Sequence, residues 1–188
     1  MYFKKFPQIV YDSDGTGKFK DVTNLLRRVA VRSQLKENAI LFDTYDVIEG
    51  DTPESLAHKL YGDASRHWII LLMNNIIDRY HDWPMAGNQF LEYINDKYQN
   101  DDGTSNVDGV HHYELAQSSG DTKTKIEVYA DSALYVGDTD FYATATTITN
   151  MEYEEAEQDR KRKILLLDTS YVNQFETEFT NLMRESLI

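Results

Sequence analysis

The stretch that decides the fold of this chain is residues 45–77, which read YDVIEGDTPESLAHKLYGDASRHWIILLMNNII. Thr52 can cap a helix through its hydroxyl, and Pro53 suits the first helical position, where no backbone N–H is needed. Gly62 supplies a left-handed stop for that helix, and Asp63 can cap a second one. The stretch therefore predicts a short strand followed by two helices that a tight turn joins.

The order of these signals resembles that of a LysM module, a small βααβ unit. The pattern is a strand, a Gly-Asp-Thr turn, a helix, an aromatic-Gly pair, a second helix and an Asn. The resemblance implies a shallow glycan groove formed by two loops, which are Gly50, Asp51, Thr52 and Pro53 in the first and Asn75, Ile76 and Ile77 in the second. Asp78-Arg79-Tyr80 stand where the closing strand of the module would continue, so that strand looks altered.

Two interpretations of this groove stay open. In one, the groove binds peptidoglycan or chitin, as LysM proteins do. In the other, another part of an assembly covers the groove. We favour the second interpretation, because a fold does not by itself fix a function.

The surroundings of this unit narrow the resemblance. His67 to Asn75 followed by Asp82-Trp83-Pro84 is not a generic LysM ending, which would continue into a second strand and an apolar Ile-Pro close. The chain is similar here to the baseplate wedge protein 53 family of T-even-like phages with contractile tails. The flanks agree with that family, because residues 6–11 precede a basic segment and residues 152–155 lead to the apolar run 164–168 and a last amphipathic helix.

Similarity to this family implies a structural, non-enzymatic subunit of the tail baseplate wedge, assembled in the host cytoplasm and carried in the virion. The implied role is to bind other wedge subunits and to help join wedges into the baseplate ring. The implied partners include the wedge scaffold dimer and the small lysozyme-like sheath-initiator protein. The alternative function is that of a LysM-type module that binds peptidoglycan or another glycan. A third and weaker alternative is that the chain is an enzyme whose carboxylates carry out the catalysis.

The composition excludes several classes of function. A formal net charge of −13 argues against nucleic acid or an anionic membrane as the main partner, since both attract a basic face. The longest apolar run, residues 68–73, is far too short to span a bilayer. The chain has no cysteine, which fits assembly in a reducing cytoplasm. Thirteen tyrosines favour protein interfaces, where Tyr is enriched.

The remaining patterns predict an α+β chain with three regions. Residues 1–44 form an N-terminal arm with a strand and a helix over Phe19 to Ser33. Residues 45–86 form the LysM-like unit. Residues 87–188 form a C-terminal region with a helix over Asn88 to Gln99, a small antiparallel meander over residues 111–148 and two further helices, the first of which Asn150 caps.

No motif in the chain predicts a catalytic, cofactor or metal site. Residues 12–18 resemble a phosphate loop and the start of an EF-hand, but both matches fail at essential positions, so a surface turn is expected. His111 and His112 are neighbours, and neighbours on a strand point to opposite faces, so we do not expect them to share a metal ion. Acidic side chains are expected to be solvated or to cap helices.

Two segments are candidates for contact with a partner. The segment 18–36 is basic within an acidic chain, and Arg27 and Arg28 lie at its centre. The last helix carries an apolar seam with Phe175, Phe179 and Leu182 at three- and four-residue steps. We expect this helix to act as an attachment element, with a neighbouring subunit as the favoured partner and the chain's own meander as the alternative.

Overall fold

The computed structural model describes residues 2–26, 30–31, 40–119, 122–129, 132–133 and 136–185. Helices combine with small antiparallel sheets, which confirms the α+β class. The chain divides into two compact units: unit 1 consists of residues 1–83 and 162–188, and unit 2 of residues 84–161. The sequence predicted three regions, residues 1–44, 45–86 and 87–188, whose boundaries differ from those of the two units. That division stays a prediction.

The elements follow one another along the chain in a mixed order. The strands are β1 (Gln8–Tyr11), β2 (Lys20–Thr23), β3 (Phe42–Asp46), β4 (Val110–Ser119), β5 (Thr122–Tyr129), β6 (Thr146–Thr149) and β7 (Lys163–Leu167). The helices are α1 (Pro53–Tyr61), α2 (His67–Met73), α3 (Arg79–Asp82), α4 (Gly87–Lys97), α5 (Thr139–Thr144), α6 (Asn150–Arg162) and α7 (Val172–Glu185). Short 3₁₀ turns lie at Tyr2–Lys5, Ala64–Arg66 and Thr169–Tyr171.

The helix signals in the deciding stretch are confirmed. The Thr52 hydroxyl accepts a hydrogen bond from the backbone N–H of Ser55, and the Ser55 hydroxyl accepts one from the N–H of Thr52, which forms a capping box. Gly62 ends α1 in the left-handed conformation with φ of 71°. Asp63 caps the 3₁₀ turn that leads into α2.

The strand that pairs with β3 comes from far along the chain. β7 pairs antiparallel with β3, with Phe42 opposite Leu167 and Asp46 opposite Lys163. Residues 79–82, where the closing strand of the module would continue, instead form α3, capped by Asp78. β3 and β7 are therefore separated in the chain by the whole of unit 2, and the LysM resemblance stays a prediction from the sequence.

The core of unit 1 joins the two central helices to the C-terminal helix. Trp68 of α2 is buried, as are Leu56 of α1 and Phe179 and Met183 of α7. The rings of Trp68 and Phe179 have centroids 4.7 Å apart. The prediction that α7 attaches to a neighbour or to the meander overlooked this core of unit 1, which takes one side of the helix.

The N-terminal arm is a hairpin, where the sequence predicted a strand followed by a helix. β1 and β2 pair antiparallel, with Gln8 opposite Thr23 and Tyr11 opposite Lys20. The turn between them is held by the Asp12 carboxylate, which accepts hydrogen bonds from backbone N–H groups, including that of Gly17 at 2.7 Å. The helix predicted over residues 19–33 is therefore wrong for residues 20–23, because strand pairing outweighs the local apolar spacing. Residues 27–29 and 32–39 lie outside the described residues.

Unit 2 is built on a sheet with the strand order β5–β4–β6. A simple meander would pair β6 with β5, but α5 intervenes and β6 pairs with β4 instead. The predicted meander is corrected in this respect. The cap of α6 is also corrected: Thr149 and Glu152 form the capping box, while Asn150 is buried and donates to the carbonyl of Asn106.

A buried carboxylate links α4 to α6 within unit 2. Glu154 accepts hydrogen bonds from Lys97 Nζ at 2.5 Å and from Tyr98 Oη at 2.8 Å. Burial alone would lower the pKa of Lys97, but its hydrogen bonds to Glu154 and Tyr93 raise that pKa above its ordinary value. The pairing lets an ionised carboxylate sit in the interior, which an unpaired one could not do cheaply.

Candidate interaction surfaces

The first of the two predicted groove loops is held by contacts within unit 1. The Asp51 carboxylate accepts hydrogen bonds from Tyr45 Oη at 2.8 Å and from the backbone N–H of Ile48 at 3.3 Å. The hydrogen bond to Asp51 raises the pKa of Tyr45. Thr52 is occupied as a helix cap, and Pro53 is fully buried. The polar groups of this loop thus have structural partners already.

The segment after the second loop returns to the first. Trp83 is 7% exposed, and its indole Nε1 donates to the backbone carbonyl of Asp51 at 3.1 Å. Arg79 forms a 2.7 Å ion pair with Glu54 in the first turn of α1. The chain itself therefore contacts the loop that would form one wall of a glycan groove.

The second loop has a special backbone and two exposed residues, Asn75 and Ile77. Asn75 has a positive φ of 55°, a conformation that Asn tolerates better than most residues. The N–H of Ile76 donates to the carbonyl of Leu71, which closes the end of α2. Ile77 is 87% exposed, so its apolar side chain is accessible to a partner.

Asn74 ends α2, as the sequence pattern predicts, but its pairing with β7 was not predicted. Its side-chain Nδ2 donates to the carbonyls of Ile70 and Leu165, and its Oδ1 accepts from the N–H of Leu165 at 2.8 Å. The amide thus pairs with the edge of β7 as a neighbouring strand would. An Asn at a helix end is a weak signal, because most such residues serve only as caps.

The N-terminal hairpin exposes large apolar side chains. None of the residues of β1 and β2 is fully buried. The exposed residues of the hairpin and its flank, here called the hairpin patch, are Val10, Tyr11, Phe19, Val22, Leu25 and Leu26. Val10 lies on the opposite face of the hairpin from Tyr11 and Val22, so exposed apolar side chains occur on both faces. Exposed apolar side chains grouped on one small element are candidates for contact with a partner. The prediction of a helix in this region hid the patch, since helical spacing placed part of it in a core.

The predicted interface residues occupy different environments. Phe179 is 1% exposed and belongs to the core of unit 1, and Phe175 packs against that core. Leu182, on the outer side of α7, is 52% exposed. Phe179 is therefore not available to a partner in this structure. Arg27 and Arg28 lie outside the described residues.

Many of the carboxylates are used as caps and turn-formers. Hydrogen bonds from Ser65 lower the pKa of Asp63, and hydrogen bonds from Ser170 lower that of Asp168. The hydrogen bond from His81 lowers the pKa of Asp78, which caps α3. Among the residues that the structure describes, no helix combines the length and the apolar character needed to cross a membrane.

A chain whose carboxylates cap helices and whose apolar side chains line an exposed hairpin is typical of a structural protein that works through contact with other subunits. The chain belongs to the family described as base plate wedge protein 53, whose sequence model matches residues 1–182. It is thus a structural component of the tail baseplate of a phage virion. It is 26% identical to the baseplate wedge protein gp53 of Enterobacteria phage T4, in an alignment that covers 76% of this chain and 74% of that protein.

Proposed function

We propose that this protein is a non-enzymatic wedge subunit that binds other wedge proteins and helps to join wedges into the baseplate ring. The family membership supports this role. The observation that carries the proposal is the hairpin patch, because apolar side chains on a two-stranded hairpin need a partner to cover them. The wedge scaffold dimer and the lysozyme-like sheath initiator are the partners that we propose.

The hairpin suits this role because, within the part of the chain that the structure describes, β1 and β2 form a sheet of only two strands. An isolated two-stranded hairpin is at best marginally stable in water. Docking on another subunit would bury Phe19 and Leu26, which is 90% exposed, and would order the strands further. Affinity would then come from a few buried apolar and aromatic anchors, while charges at the rim would steer association.

Co-expression with the other wedge proteins, followed by size-exclusion chromatography, tests this function. The wild-type chain should co-elute with at least one wedge subunit. The double variant Phe19→Ser, Leu26→Ser should lose co-elution while keeping its circular dichroism spectrum, since both side chains are exposed. Leu91→Ser, which changes an exposed leucine on α4, is the matched control and should co-elute as wild type does. Co-elution of the double variant at the wild-type level would argue against docking through the hairpin.

The geometry of the predicted groove disfavours glycan binding. The Asp51 carbonyl is bonded by Trp83, and the Asp51 carboxylate is bonded by Tyr45 and Ile48. We therefore propose that the chain does not sediment with insoluble peptidoglycan or chitin. Saturable sedimentation that Asp51→Ala abolishes would favour the glycan-binding module instead.

We also propose that Arg27 and Arg28 steer this association through the charge of segment 18–36. Charge reversal of both residues to Glu should slow association more than it speeds dissociation, and added salt should slow the wild-type chain similarly. Stopped-flow or surface-plasmon measurement of the two rates checks this. Rates that respond to neither change would contradict the electrostatic role.

A further inference from the structure

Three side chains of unit 2 meet on one face of the β4–β5 pair. His112 lies opposite Tyr129, and Glu114 lies opposite Glu127. Because alternate residues of a strand share a face, His112, Glu114 and Glu127 project to the same side of the sheet. One ligand atom from each of the three residues lies within 4.8 Å of the other two.

The imidazole at the centre of this group has a buried nitrogen without a hydrogen-bond partner. His112 is 4% exposed, and its Nε2 accepts or donates no hydrogen bond in the structure. The Oε1 of Glu114 lies 3.6 Å from this nitrogen, beyond normal hydrogen-bond distance. A buried polar atom without a partner is costly, and one that faces two carboxylates indicates a ligand.

A β-bulge orients this imidazole. The pairing of β4 with β6 shifts register between Val110 and His112, so His111 is the extra residue. The bulge undoes the alternation that the sequence predicted, and the Nδ1 atoms of the two histidines lie 2.8 Å apart. When the Nδ1–H of His112 donates a hydrogen bond to His111 Nδ1, Nε2 of His112 carries no proton and its lone pair is directed at the two glutamates. His111 is itself held by stacking on Tyr153, with ring centroids 3.8 Å apart.

The charges around the group leave one oxygen of Glu114 available. Lys125 forms an ion pair with Oε2 of Glu114, while Oε1 faces His112. Glu127 is exposed, so the group opens to solvent on its side of the sheet. An ion can therefore reach a site whose other end is buried at His112.

We propose that His112, Glu114 and Glu127 bind a divalent transition-metal ion of the Zn²⁺ type. One imidazole nitrogen and two carboxylate oxygens are ligands that Zn²⁺ accepts, with a fourth position left for water or a partner's side chain. Ca²⁺ and Mg²⁺ prefer oxygen ligands throughout, which a buried imidazole does not supply.

The side chains must adjust their rotamers to hold such an ion. In a tetrahedral site with bonds of about 2.1 Å, the ligand atoms lie about 3.4 Å apart, so atoms that are up to 4.8 Å apart must close in by as much as about 1.4 Å. His111 fits such a site as well. A metal-bound histidine usually donates its other N–H to an acceptor, and here that acceptor is His111 Nδ1. The bound ion would tie β4 to β5.

Titration of the full-length, chelator-treated protein with ZnCl₂ tests this site by isothermal calorimetry and by thermal melting. The wild-type chain should bind one Zn²⁺ per chain and melt at a higher temperature with the ion than without it. Glu127→Gln, which changes an exposed side chain and should fold normally, should weaken binding by at least about tenfold, as should His112→Gln. Glu155→Gln and His58→Gln, at exposed positions elsewhere, should bind as wild type does.

Competing metals and a spectroscopic probe sharpen the result. CaCl₂ and MgCl₂ at the same concentrations should not raise the melting temperature. Co²⁺ in place of Zn²⁺ should give visible absorption that Glu127→Gln weakens. The proposal is overturned if wild type binds no Zn²⁺ at one-to-one stoichiometry, or if the Glu127 and His112 variants bind as tightly as wild type, which would indicate adventitious surface binding.

Discussion

At the scale of single residues, Asn74 shows how one side chain can take the place of a strand. Its amide satisfies both the N–H and the carbonyl of Leu165 on the edge of β7, and also bonds the carbonyl of Ile70 at the end of α2. β3 already occupies the other edge of β7. Asn74 therefore fixes the position of α2 on a strand that lies 91 residues later in the chain.

Asn74→Ala should destabilise the protein by at least about 2 kcal/mol, because each partly buried backbone group left unpaired costs about 1–3 kcal/mol. Urea unfolding followed by tryptophan fluorescence measures the change. Asn88→Ala, at an exposed position of α4, is the control and should stay within about 0.5 kcal/mol of wild type. An Asn74 variant as stable as this control would show that water replaces the amide.

Tyr98 makes the stability of unit 2 depend on pH in the alkaline range. Burial and the hydrogen bond to Glu154 raise its pKa to about 12 from the ordinary 10.0. The unfolded chain ionises first, so this contribution is complete below pH 10 and is lost as the pH rises from 10 to about 12.

The free energy of unfolding should therefore fall less steeply between these pH values in Tyr98→Phe than in wild type. Denaturant unfolding at several pH values checks the slope. Tyr80→Phe, at an exposed position, should keep the wild-type slope. Equal slopes for Tyr98→Phe and wild type would mean that the Tyr98 phenol does not respond to the buried carboxylate.

Some residues of the described surfaces could be assigned from the sequence, and others could not. Thr52, Pro53 and Gly62 could be assigned from the sequence because capping and left-handed stops depend on neighbours three or four positions away. Asn74 and Trp83 could not, because their partners Leu165 and Asp51 are distant in sequence. The His111–His112 contact depends on a bulge, which the alternation of side chains does not predict.

Among the secondary-structure elements, local pattern located α1 and α7 but not the pairing of the strands. α1 and α7 follow from caps and apolar spacing. β2 was mistaken for a helix, and the partner of β3 was sought after residue 75, because strand pairing is set by contacts that no local pattern contains. The α+β class follows from the sequence, but the pairing of β3 with β7, which unit 2 separates in the chain, does not.

The C-terminal helix should behave as part of the core of unit 1. Phe179→Ala should destabilise the protein by about 3–5 kcal/mol, because it removes a buried ring packed on Trp68. Leu182→Ala, three positions later on the exposed side, should change stability by less than about 0.5 kcal/mol. Thermal and denaturant unfolding measure both variants. A nearly unchanged stability for Phe179→Ala would restore the prediction that α7 serves mainly for attachment.

At the scale of the whole molecule, the protein separates stability from contact. Unit 1 has a continuous core through α1, α2, β7 and α7, while its hairpin remains exposed. Along the chain, unit 2 lies between the two parts of unit 1, and it has its own sheet and a buried carboxylate paired with Lys97. Under the proposed function, the core of unit 1 supplies stability and the exposed hairpin supplies the contact with neighbouring subunits.

Hydrogen–deuterium exchange of the protein, free and reconstituted with the other wedge proteins, tests whether the hairpin docks on a neighbouring subunit. Backbone amides of residues 8–23 should exchange rapidly in the free chain and become protected in the complex. Amides of α2 and β7, in the core of unit 1, should be protected in both states. A complex in which residues 8–23 exchange as fast as in the free chain would contradict docking through the hairpin.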